Sequence, residues 1–298
     1  MKQERFVLNG NSKTTLTTYL TDSYGLVQKK PLVIICPGGG FLDCSPNEGE
    51  PVALHFLRAG YHAAVLIYSN QATAPNTSAL PQALFDMAAA ITLIRQRAEE
   101  WAVDSDKIVI LGFSAGAQLS ALYGNRWQET LLYPYGTPEQ RKPNAVVLGY
   151  PLLEKEHNLP DDADGTPMDM QDVLGGSTQS LQMRKFMEAS DTALYGHYPP
   201  TREEMLAASP IHHVSPHTPP TFIWQTFADK IISPLQSLHY AQALYTAGIP
   251  CELHVFDKGQ HGISLADRTT AKKETGIDFH VAGWAALAVE WLDRQFDF

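Results

Sequence analysis

Six short apolar runs rich in β-branched residues recur along this chain, at 32–36, 63–68, 107–111, 145–150, 221–226 and 251–256. Each is nearly continuous in apolar character. A strand with one wet face would alternate, so an unbroken run reads as a strand covered on both faces, the situation of a parallel sheet. Helical spacing fills the intervals. Residues 50–59 carry Val52, Leu54, Phe56 and Leu57 and stop at Gly60, and residues 82–101 place Leu84, Met87, Ala88, Ile91, Ile94 and Ala98 on one stripe. Helices are also expected over 114–123, 234–247 and 278–296, the last with Trp284, Leu287, Ala288, Trp291 and Leu292 as a core-facing stripe. Strand and helix alternate, which predicts an α/β fold: a mostly parallel, doubly wound sheet flanked by helices.

At 298 residues and 44% hydrophobic composition, the chain has material for a large core and no disorder signature. We read it as one domain, because α/β sheets of this length commonly form a single unit. Its 22 Lys and Arg against 32 Asp and Glu give a net charge of −10, with the cations scattered. That balance fits a nucleic-acid backbone poorly. No run approaches the roughly 20 apolar residues of a membrane span, and the charged start leads into no apolar stretch. Cys36, Cys44 and Cys251 are odd in number and form no C-x-x-C pair, so neither a disulfide framework nor a zinc site is expected. Cys36 and Cys44 read as packing residues, and a reducing cytoplasm is the expected location.

One stretch breaks the alternation. Residues 152–220 contain no strand run, many acids (Asp161, Asp162, Asp164, Asp169, Asp172), and two weak helical patterns near 178–189 and 201–207. Connections in α/β units are usually about 2–6 residues long, so we expect an insertion lying over one end of the sheet as a cap. Within it, Asp162-Ala163-Asp164-Gly165 hints at a calcium loop, but Pro160 and Gln171 would occupy the first and twelfth ligand positions, and the pattern fails.

The chemistry concentrates in four places. Gly112-Phe113-Ser114-Ala115-Gly116 follows the strand at 107–111 and opens a helix, the required context of a G-x-S-x-G nucleophile elbow. The glycines let neighbouring backbone pass close beneath the serine. Cys36-Pro37-Gly38-Gly39-Gly40-Phe41 leaves the strand at 32–36, and such a glycine run can turn N–H donors toward a developing oxyanion. Gly39, Gly40 and Ala115 are the expected donors. A phosphate loop would need G-K-[ST] or G-x-G-x-x-G, and neither is present. Among 11 histidines, His261 stands just beyond the last strand run, at the sheet edge expected for Ser114. His55, His62, His212, His213 and His217 are placed as structural or solvated residues. Asp229, in the loop after 221–226, completes the order Ser, Asp, His of this enzyme class, with Asp257 as its competitor.

On these residues the chain resembles the α/β-hydrolase superfamily, near the hormone-sensitive-lipase-like and acetyl-xylan-esterase-like bacterial esterases. Pro37 to Phe41, the elbow, Trp224-Gln225-Thr226 with Asp229, and Gly259-Gln260-His261-Gly262 carry the resemblance from about residue 30 onward. Many relatives have His where Pro37 stands and Gly where Ala117 stands; neither position is the nucleophile or an expected donor. The resemblance implies a serine carboxylesterase, with an acetylated sugar or small alcohol ester as substrate, no metal or organic cofactor, and pairing into a homodimer. Two alternatives remain: a serine peptidase on the same fold, and a non-catalytic binding protein that has kept the fold.

The elbow yields a direct expectation. Ser114→Ala will lower turnover by several orders of magnitude while leaving the unfolding midpoint near that of the unaltered chain. Full turnover in the purified variant would remove Ser114 as nucleophile.

Overall fold

The computed structural model describes residues 1–22, 28–156 and 178–298. The acids Asp161 to Asp172 and the failed calcium pattern at 162–165 lie outside the described residues. Eight strands form one sheet: β1 (Lys2–Leu8), β2 (Asn11–Leu20), β3 (Lys30–Cys36), β4 (His62–Ile67), β5 (Val103–Phe113), β6 (Ala145–Gly149), β7 (Thr221–Thr226) and β8 (Cys251–Phe256). Their spatial order is β1-β2-β4-β3-β5-β6-β7-β8. Strands β4, β3 and β5 to β8 run parallel, whereas β1 and β2 form a hairpin that joins β4 antiparallel.

The nine described α-helices are α1 (Glu50–Arg58), α2 (Gln82–Gln96), α3 (Ala98–Trp101), α4 (Ala115–Arg126), α5 (Pro138–Arg141), α6 (Thr178–Tyr195), α7 (Arg202–Ala207), α8 (Pro234–Thr246) and α9 (Trp284–Phe296). They cover both faces, and alternate residues of each central strand serve alternate faces. Leu32, Ile34, Ile108, Ile110, Val146, Leu148 and Ile223 pack with Met87 and Ile91 of α2, Leu119 of α4 and Tyr240 of α8. Val33, Ile35, Val109, Leu111, Val147, Phe222 and Trp224 pack on the other side with Phe56 of α1 and Trp284 and Trp291 of α9. The Trp224 and Trp284 rings stack with centroids 4.9 Å apart. These two layers make the sheet doubly wound, as the alternation predicted.

Several boundaries differ from expectation. The β1–β2 hairpin was not among the expected strands, because Lys2–Leu8 and Asn11–Leu20 are mixed polar segments with no continuous apolar run. The helix expected over 82–101 breaks at Arg97, and Ala102 turns the chain at φ 52°. The helix expected from 278 begins instead at Trp284, after a 3-10 turn over Val281–Gly283. Strand β8 is not covered on both faces: as the sheet's edge it is mostly half-buried.

Register decides where the loops fall. Cys36 pairs with Gly112, Phe113 with Gly149, and Thr226 with Phe256. The glycine loop, the elbow, Tyr150, Asp229 and His261 therefore all emerge at the carboxyl edge of the sheet. The elbow itself is possible only because two backbones nearly touch. A Cβ on Gly116 would lie 2.1 Å from the Cys36 carbonyl oxygen and 2.5 Å from that of Pro37, and one on Gly112 would lie 2.2 Å from the Gly116 carbonyl oxygen. Neither obstacle is a movable side chain. Gly116→Ala is therefore expected to cost about 3 kcal/mol or more, or to abolish soluble protein; a urea midpoint equal to the parent's would refute this close approach.

Candidate active site

Ser114 sits between β5 and α4 with φ 51° and ψ −118°, a left-handed backbone that a non-glycine residue adopts only when its surroundings enforce it. Its N–H donates to the Gly149 carbonyl at 3.0 Å, and Gln118 N–H donates to the Ser114 carbonyl at 2.9 Å. Both ends of the turn are thus tied, and the side chain projects beyond the sheet edge. Ser114 Oγ lies 2.8 Å from His261 Nε2. On the far side of the ring, His261 Nδ1 lies 2.7 Å from Asp229 Oδ2.

Asp229 is itself oriented. Its other oxygen, Oδ1, accepts from Ile231 N–H at 2.8 Å and Ile232 N–H at 3.1 Å, and the carboxylate is fully buried. With both oxygens engaged, the carboxylate can hold His261 in the tautomer that leaves Nε2 free to accept. Asp257 is exposed, and no hydrogen bond joins it to His261. The loop carrying His261 turns at Gly259 (φ 115°), whose carbonyl accepts from Thr226 Oγ1 at 2.9 Å. The Tyr150 ring stands edge-on to His261 at 4.9 Å between centroids.

The glycine loop lies beside this relay. Gly39 (φ 132°) and Gly40 (φ 64°) both have positive φ, and a Cβ at Gly39 would lie 2.2 Å from the Asp43 carbonyl oxygen. Among the described residues, the Gly39, Gly40 and Ala115 N–H groups have no hydrogen-bond partner. A cavity of about 440 Å³ opens here, lined by Gly39, Gly40, Ser114, Phe186, His261 and Lys272 among others. Among the described residues there is no cluster of three or more His, Cys, Asp or Glu that could hold a metal ion, and no helix long and apolar enough to cross a membrane.

The remaining expected residues fall elsewhere. Cys36 and Cys44 are buried, and burial pushes the Cys44 thiol up to about 12 and the Cys36 thiol higher still. His62 is buried, and loss of water lowers its pKa to about 4. His212 and His213 are occupied by Glu156 and the Ala207 carbonyl. Glu48, Tyr150 and Phe186 also stand at this site, and no local pattern in the sequence marks them. Glu48 looks in sequence like any acid at a helix start, and Tyr150 like the last residue of a core strand.

The sheet order and the loops at its carboxyl edge define an α/β hydrolase. The chain belongs to the BD-FAE family, which matches residues 22–244. In structure it is similar to a sugar hydrolase of Lactococcus lactis (29% identity, 99% of each chain covered, TM-score 0.78). It is also similar to a carboxylesterase of Lactobacillus plantarum (27% identity, 99% of this chain and 98% of that one, TM-score 0.77). An acetyl ester-xyloside bifunctional hydrolase of Caldicellulosiruptor lactoaceticus has 28% identity, 98% and 96% coverage and a TM-score of 0.73. Among curated proteins, endo-1,4-beta-xylanase B of Butyrivibrio fibrisolvens is 29% identical over 243 residues, 80% of this chain and 33% of that protein. The chain spans about a third of that relative and about half of the esterase LipQ of Mycobacterium tuberculosis, at 33% and 51% of their lengths.

The two candidate acids separate cleanly by experiment. Asp229→Asn is expected to lower kcat by about 10⁴, as tautomer control is lost, whereas Asp257→Asn will stay within about threefold, as for a surface residue outside the relay. Steady-state kinetics on both variants checks this, and the reverse ranking would make Asp257 the orienting acid.

Proposed function

We propose that the chain is a serine carboxylesterase that removes short acyl groups, acetyl foremost, from sugars or small alcohols. The observation that carries this reading is the continuous relay from Ser114 Oγ through His261 to Asp229, mounted on a strained elbow beside three backbone N–H groups that are unpaired among the described residues.

The reaction follows from the positions of the protons. His261 Nε2 accepts the Ser114 hydroxyl proton as Oγ attacks the ester carbonyl, and Asp229 stabilises the imidazolium that forms. Negative charge moves onto the carbonyl oxygen, where Gly39, Gly40 and Ala115 N–H donate to it; each such donor is worth about 3–4 kcal/mol in a preorganised site. His261 then returns its proton to the leaving alcohol, and the acyl group stays on Ser114. Water enters, gives its proton to His261, and releases the acid by the same steps in reverse.

Two features support a short acyl chain and a polar alcohol. Phe186 of α6 reaches the glycine loop, its Cζ 2.8 Å from where a Gly40 Cβ would be, so an aromatic ring stands over the donors. Polar side chains also line the cavity, among them Asn47, Gln260, Thr270, Lys272 and Thr275. Relatives described as an acetylxylan esterase and an acetyl ester-xyloside hydrolase agree with an acetylated sugar. In this reading residues 152–220 form the cap of a single-domain enzyme, α6 being its contribution to the cavity.

Hydrolysis of p-nitrophenyl esters from acetate to octanoate, with Ser114→Ala as control, tests the proposal. The serine-dependent kcat/KM is expected to fall by about tenfold or more beyond butyrate, since a longer acyl chain would have to crowd or displace the Phe186 ring. A serine-dependent rate that rises with chain length would overturn the short-acyl reading, and no such rate on any ester would overturn the esterase reading.

A further inference from the structure

Glu48 closes the short 3-10 turn Pro46–Glu48 and is 3% exposed, an unusual place for a carboxylate that the relay above does not use. Both its oxygens accept. Oε2 takes the Gly38 N–H at 2.7 Å, and Oε1 takes the Tyr150 hydroxyl at 2.5 Å. The Tyr150 oxygen in turn accepts from Ser264 N–H at 3.1 Å, and Ser264 Oγ donates to the carbonyl of Asn47, the residue before Glu48, at 2.7 Å. Trp284 Nε1 fixes the Ser264 carbonyl at 3.0 Å. The result is a closed ring of hydrogen bonds linking the glycine loop, the end of β6 and the loop that follows His261.

The ring touches the chemistry at two points. Gly38 immediately precedes Gly39 and Gly40, and the position a Gly38 Cβ would take is 2.9 Å from both Glu48 Oε2 and Ser114 Cβ. Tyr150, whose hydroxyl Glu48 holds, presents its ring edge-on to His261 at 4.9 Å. An apolar side chain could fill the space without the desolvation cost of an acid, so the two accepted hydrogen bonds need a purpose beyond packing.

We propose that Glu48 is a positioning residue of the hydrolase site, fixing the glycine loop through Gly38 and the surface under His261 through Tyr150. This rests on the serine-esterase reading. The groups facing the Glu48 carboxylate are Tyr150, His261 and Lys272, with the buried Tyr68 and Cys44 behind the loop. Burial pushes its pKa up, while Tyr150, Gly38 and the nearby His261 and Lys272 oppose that shift. Glu48→Gln takes away the negative charge this carboxylate can carry next to the relay, so the acid limb of activity is expected to move to lower pH.

The test uses the full chain with Glu48→Gln and Tyr150→Phe on p-nitrophenyl acetate, beside Ser114→Ala. Outright loss of an oxyanion donor costs about 10²–10³ in kcat, so a loosened loop is expected to cost about tenfold in each variant with KM little changed. In Glu48→Gln the acid limb of kcat/KM should also move to lower pH, which a merely structural role would not produce. The double variant should lose no more than the worse single one, because both cut one ring. If Glu48→Gln fails to fold, the kcat and KM of Tyr150→Phe decide. Normal kcat in folded variants of an active parent would overturn the positioning role alone, whereas a parent lacking Ser114-dependent turnover would overturn the esterase reading with it.

Discussion

The site depends on one crossing of backbones. The carbonyls of Cys36 and Pro37, where β3 gives way to the glycine loop, lie where a Gly116 side chain would have to be. This contact brings the exit of β3 against the first turn of α4, and it does so through main-chain atoms that cannot rotate away. The separation between the Ser114 hydroxyl and the Gly39 and Gly40 amides is therefore set by the sheet, since β3 and β5 are adjacent and register Cys36 against Gly112. Strain at Ser114, with φ at 51°, is tolerated because the strand before it, the helix after it and the Gly149 carbonyl beside it leave no alternative.

Much of this arrangement was legible in the sequence because it is local. An elbow is five consecutive residues, a glycine loop is three, and each adjoins a strand whose apolar run marks the sheet edge. His261 and Asp229 are distant in sequence from Ser114, yet a parallel sheet puts every βα loop at one edge, so chain order and strand position already place them beside it. What failed to show was whatever depends on partners far apart without a local pattern. Strand β1 puts polar residues on both faces, Lys2 and Glu4 on one and Gln3 and Arg5 on the other, and the hairpin's pairing with β4 has no signature within its own residues. Glu48 and Tyr150 are 102 positions apart, and their hydrogen bond exists only after the sheet has formed. The break at Arg97 was hidden because Ala98 and Trp101 keep the apolar stripe in phase.

The buried acids divide by what they accept. Asp229 takes two backbone N–H groups on one oxygen and His261 on the other, so its charge is spent on orientation of the ring. Asp86, inside α2, accepts from Ser69 N–H at 2.8 Å and from Asn9 Nδ2 at 2.7 Å, which ties the turn of the N-terminal hairpin to the end of β4. Burial raises its pKa as it does that of Glu48. In each case a carboxylate sits where a loop must be held without regular secondary structure. An acceptor with two oxygens can bridge two such segments, whereas an apolar side chain would fill the volume and leave the backbone donors unpaired.

This division separates what the sheet decides from what can vary. Ser114 N–H bonds the Gly149 carbonyl at the end of β6, Asp229 N–H bonds the Thr226 carbonyl at the end of β7, Thr226 Oγ1 holds the His261 loop at Gly259, and the glycine loop leaves β3 directly, so their mutual distances follow from registers shared along β3, β5, β6, β7 and β8. The cavity above them is bounded differently. Phe186 belongs to α6, which is held to the body by side-chain and end contacts such as the Ala193 carbonyl accepting from Ala79 N–H at 2.9 Å. Lys272 and Thr275 come from a loop between His261 and α9 that has no strand to set its course. Substitutions in these walls can alter what fits the cavity while the distances within the relay stay as the strands set them, because among the described residues none of the relay draws a hydrogen bond from either wall.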